Sequence, residues 1–177
     1  MGSPFTQAAA GMTETAAPIY YFQEEQHFNR LVLVIALLPL VIAGLHVLVV
    51  GLSTGSPYLA VFTSIGIALV LYMSKLVTKV DSKHLHLSFP PFNFFMSRRL
   101  QYISLSDITY WQARTYSPIL EYGGWGLRRG ASGRAYNMRG NQGVQLQLTD
   151  GTKLLIGSQR AQELANAITL AKSHNSI

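Results

Sequence analysis

The sequence predicts a membrane-anchored α+β protein: a two-span transmembrane helical hairpin, then a strand-rich domain closed by a C-terminal helix. Three observations predict it. Two uncharged apolar stretches, Leu31 to Val50 and Tyr58 to Met73, flank one short connector. From Leu76 onward apolar residues alternate with polar ones, the period of a half-buried strand. Near the end, Ala161, Leu164, Ala165 and Ile168 fall on one face of a helix over Gln159 to Lys172.

The chain divides into a tail and interfacial segment over 1–29, a hairpin over 30–77 and a domain over 78–177. The first residues are rich in Ala, Thr, Gly and Ser and cannot bury enough apolar surface to order by themselves. Met12 is a second candidate start. Tyr20, Tyr21 and Phe22 precede a polar run, which suits an aromatic belt at a membrane interface. A bilayer core of about 30 Å needs roughly 20 helical residues. The first run supplies that length, and Lys75 can snorkel to lengthen the second to about Val77. In the connector GLSTGSP, Ser56 and Pro57 suit an N-cap and a first helical residue. Pro39 should kink the first helix. Gly66, with Ala60, Ser64 and Ala68, gives the second a small-residue face for close helix packing.

Thirteen Lys or Arg against five Asp or Glu follow Ser74. That places both termini in the cytoplasm and the connector outside, in a multi-pass inner-membrane topology. Hydrophobic content of 49% with only 12% charged residues agrees, and the net charge of +6 suits an anionic leaflet. Nucleic acid is not indicated, since no basic run or recognition helix is visible. The absence of Cys excludes disulfides, thiol nucleophiles and Cys-based metal centres.

Beyond the hairpin, strands are expected at Leu76 to Val80, His84 to Phe89, Leu100 to Leu105, Ile108 to Ala113, Gly143 to Leu148 and Lys153 to Ile156. Asp150-Gly151 is a two-residue hairpin signal, and Ser158 is the expected cap of the last helix. The segments LVTKVDSKHLHLSF, YGGWGLRRG with AYNMRGNQGVQLQLTDG, and TKLLIGSQRAQELANAI resemble the bacterial pleckstrin-homology-like (PH-like) membrane proteins. The resemblance covers Leu76 to Lys172. It implies a split β-barrel closed by the C-terminal helix, and no catalytic residues. Phosphoinositide binding does not follow from the fold.

Arg128, Arg129, Arg134 and Arg139 lie in a glycine-rich stretch suited to a phosphate or an acidic partner, or simply to a solvated basic hairpin. Phe89 to Met96 places four Phe around two Pro, followed by Arg98 and Arg99. Phe92, Phe94 and Phe95 with these arginines suit a loop dipping into the headgroup layer, or alternatively a barrel core. His46, the one ionisable residue inside a span, is the candidate ligand for a haem or chlorophyll magnesium, without a second span His to share it. His84 and His86 lie two apart on one strand face and could share a metal, but no third ligand is apparent if Asp81 is a turn residue. Trp111 and Trp125 read as structural.

No constellation for acid-base or nucleophilic chemistry is present. The reading is a non-catalytic membrane protein without cofactor: an accessory, stabilising or assembly subunit of a larger complex of respiratory or photosynthetic type. Its partners would be membrane lipids and other membrane subunits. The alternative is a stand-alone tethered adaptor for lipid headgroups or a peptide.

Overall fold

The computed structural model describes residues 20–50, 56–130 and 132–175, with the side chains of 31, 48, 50, 56–58 and 60 left outside the description. Two antiparallel helices leave one sheet as a hairpin. They are α1 (Arg30–Val50), with Pro39 inside it, and α2 (Ser56–Met73). Connector residues 51–55 and the tail over 1–19 lie outside the described residues.

The transmembrane reading is corrected here. Among the described residues no helix is long and apolar enough to cross a membrane. The two-span hairpin, the multi-pass inner-membrane placement and the topology with cytoplasmic termini are therefore not supported.

The PH-like split barrel is corrected as well. The strands form two open sheets, and neither closes on itself. The first has the order β1 (Phe22–His27), β2 (Lys75–Val80), β3 (His84–Ser88), β4 (Tyr102–Ser104), all antiparallel. A short helix α3 (Arg98–Gln101) leads into β4. The second sheet has β5 (Ile108–Thr115), β6 (Gly126–Gly130), β7 (Gly133–Asn137), β8 (Gln142–Leu148) and β9 (Lys153–Gly157) in the order β5-β8-β9-β7-β6. Its β7–β9 pair is parallel, and a short helix α4 (Pro118–Tyr122) precedes β6. What remains of the fold reading is an α+β layout with a closing helix α5 (Ala161–His174), built on two sheets instead of one barrel.

Alternation explains the core. Leu76 and Val80 of β2, Leu85 and Leu87 of β3, Val144, Leu146 and Leu148 of β8, and Leu154 and Ile156 of β9 point inward and join one buried cluster. Leu164 and Ile168 of α5 complete it, both fully buried. The Asp150-Gly151 turn forms as its sequence demands. Gly151 takes φ +79°, and Asp150 accepts the Thr152 N–H at 2.9 Å.

The segment before the hairpin forms an edge strand. Tyr21 donates its N–H to the Val80 carbonyl, and β1 pairs with β2 from Phe22↔Val80 to His27↔Lys75. Its inward positions are Phe22, Glu24 and Gln26. Burying a polar side chain is costly unless it is hydrogen-bonded. Glu24 accepts from the Ser158 hydroxyl at 2.5 Å and from the Gln159 N–H at 3.0 Å, and Gln26 donates to the Gly157 carbonyl at 2.8 Å. A polar seam thus ties β1 to the entry of α5. Ser158 serves this seam rather than capping the helix, which begins at Ala161 after Arg160.

Candidate functional site

The helical hairpin and the pocket at its base form the candidate site. On the hairpin, Ala43 and Ser64 are buried, whereas Val34, Ile42 and Val49 of α1 and Phe62, Ile67 and Tyr72 of α2 are more than half exposed, Val49 at 80%. Gly66 does not pack on α1: a Cβ there would meet nothing within 4 Å. Ser64, two positions away, is buried instead. His46 is exposed on α1 and belongs to no cluster of metal-ligating groups among the described residues.

Beside the start of α1 lies a cavity of about 450 Å³, lined chiefly by Phe28, Phe92, Phe95, Trp125, Arg128 and Tyr136. Phe89, buried at its floor, stacks edge-on to Phe28 at 6.4 Å and faces Phe92 at 6.1 Å. The aromatic run thus divides three ways. Phe89 belongs to the core, Phe92 is half-buried in the pocket, and Phe94 and Phe95 are exposed at 76% and 69%. Arg128 is held at the rim by its Nε–H donating to the Trp125 carbonyl at 2.8 Å. Trp125 in turn donates its indole N–H to the Gly140 carbonyl at 3.0 Å. Burial pushes the Tyr136 phenol up, with the Arg134 guanidinium pulling partly back, so the phenol stays a neutral hydroxyl at physiological pH. Chemically the pocket offers apolar walls and one cation, the lining an amphipathic anion would fill.

The four predicted arginines do not form one site. Arg128 serves the pocket, Arg129 and Arg134 are cross-strand partners on β6 and β7, and Arg139 is exposed beyond β7. None forms an ion pair among the described residues. Of the other predicted interface residues, Arg98 is exposed and Arg99 pairs with Asp150 at 2.7 Å. The Lys79 ammonium sits over the exposed Tyr20 ring at 4.8 Å, and Tyr21 packs on His174. Two features escaped the sequence reading. Ser117, Pro118 and Gly123 are the cap, first residue and left-handed stop of α4, a signal legible in SPILEYGG. Asp81 also stands beside His84 and His86, so the third ligand missing from that pair is present. Compared with known proteins, the chain matches no family model and is similar to none of the curated sequences.

Proposed function

We propose that the protein is a non-catalytic accessory or assembly subunit that docks into a larger complex through its α1–α2 hairpin. One observation carries this reading. Both helices present large apolar side chains outward, with Val49 80% and Phe62 72% exposed. Contiguous apolar surface of this kind marks an interaction site, whereas isolated exposed apolar residues do not. The two-sheet domain supplies the rigid base that fixes the hairpin's direction, because α1 and α2 leave from neighbouring strands. A partner presenting its own apolar helices would cover the hairpin.

A photo-crosslinking residue at Val49 or Phe62, introduced in the native cell, tests this. A discrete, stoichiometric protein adduct is the expected result, with none from the exposed Leu120 on the domain. Adducts to lipid alone would overturn the subunit reading. The aromatic pocket with Arg128 favours a second reading, an adaptor for an anionic headgroup or acidic peptide. Under it, Arg128→Glu would abolish binding while hairpin substitutions would not.

A further inference from the structure

We propose that Asp81, His84 and His86 form a binding site for a divalent transition cation of the zinc class, with a fourth position open to water or an incoming ligand. The argument starts from the sequence DSKHLH. Asp81 follows β2, and His84 and His86 are the first and third residues of β3. Strand alternation sends Leu85 into the core and both imidazoles to the outer face. The turn folds Asp81 back over them, with its N–H donating to the His84 carbonyl at 3.0 Å.

The three ligand atoms lie within 4.8 Å of one another. His86 Nε2 is 2.5 Å from Asp81 Oδ2, and His84 Nδ1 is 3.9 Å from Asp81 Oδ1. Metal–ligand bonds of about 2.0 to 2.2 Å in a tetrahedral site place ligand atoms about 3.4 Å apart. The observed spacings bracket that value. A cation would part the close pair slightly and draw His84 inward by side-chain rotation.

The site is also positioned in advance. Asp81 Oδ1 accepts the N–H groups of Lys83 and His84, both at 2.7 Å, so the carboxylate cannot turn away. The Tyr102 ring meets His86 edge-on at 5.0 Å and restrains the imidazole. Lys79, opposite His86 in the register, is drawn to the Tyr20 ring. Two imidazoles and one carboxylate favour zinc-like cations over magnesium or calcium, which prefer oxygen donors.

The full chain, stripped with a chelator, is titrated with Zn²⁺ by calorimetry and with Co²⁺ by visible absorption. The expected result is one equivalent per chain and the ligand-field bands of low-symmetry cobalt. His84→Ala and His86→Ala should each weaken binding by at least about tenfold. Asp81→Asn keeps the turn's acceptor while removing the charge, and it should do the same. His27→Ala and His174→Ala, at exposed histidines elsewhere, should change nothing. Absence of binding in the wild type would overturn the proposal. So would affinity that survives loss of either His84 or His86, which would leave only a histidine–aspartate ion pair.

Discussion

Glu24→Ala puts the assignment of β1 to the folded domain at risk. Glu24 is 8% exposed and Ser158 is fully buried. Truncation leaves the Ser158 hydroxyl and the Gln159 N–H without their acceptor. A buried donor left unpaired costs about 1 to 3 kcal/mol. Gln159 is exposed, so water can replace one of the two bonds. The remaining loss, carried by the buried Ser158 hydroxyl, is therefore about 1 to 3 kcal/mol. Glu24→Gln keeps an acceptor for Gln159 and asks only that the Ser158 hydroxyl rotate, so it should cost about 1 kcal/mol. Urea unfolding, followed by fluorescence of Trp111 and Trp125, measures both. Combined with Ser158→Ala, Glu24→Ala should be strongly non-additive, because both substitutions break the same bond. A loss below about 0.5 kcal/mol for Glu24→Ala, the range of an ordinary surface site, would refute the reasoning and detach residues 22–27 from the sheet.

Three further outcomes follow from the same packing. Leu164→Ala should cost about 2 to 5 kcal/mol, since Leu164 is fully buried where α5 closes the core; denaturant midpoints check it. Thr78→Val should stabilise by about 1 kcal/mol, because the buried Thr78 Oγ1 has no hydrogen-bond partner among the described residues and a methyl of the same shape carries no desolvation cost; a lower melting temperature would contradict this. Glu121 is held below its ordinary pKa of 4.5, first by the hydrogen bond from Arg114, with burial opposing and the Ser117 N–H assisting. A lowered folded-state pKa gives stability that is present above 4.5 and lost as pH falls through the folded value. Glu121→Gln should therefore destabilise at neutral pH and converge on the wild type in acid, as a series of unfolding curves against pH would show.

Where sequence and structure agree, the apolar residues carry the signal. Leu85, Leu87, Leu146, Leu148, Leu164 and Ile168 alternate or recur at helical spacing, and their partners are apolar by default. β1 was hidden because its inward residues are polar. Glu24 and Gln26 are tolerable inside only through Ser158, Gln159 and Gly157, more than 130 positions along the chain. β6 and β7 were hidden for another reason. GLRRG has no apolar alternation, and β7 owes its place to a parallel pairing with β9 that no local pattern encodes. The basic stretch looked like one site because its arginines are close in sequence, yet β-geometry separates Arg128 from the Arg129–Arg134 pair. Asp81 was legible as a turn residue, and it is one. What the sequence could not show is that the same turn swings its carboxylate over two imidazoles.

The hairpin is an insertion between paired strands, and this gives it the character of a removable cassette. His27 and Lys75 are register partners, so the chain leaves the sheet and re-enters it about 5 Å apart. That gap is one a two-residue turn bridges. Joining His27 to Lys75 through Asn-Gly would leave both sheets and α5 intact, at the expense of the Phe28 contact with Phe89. The domain would then be available without its apolar appendage, and the appendage could be grafted onto any other antiparallel pair. The proposed docking surface and the fold are thus separable parts of one chain, written in different stretches of it and meeting only at a single rung of the ladder.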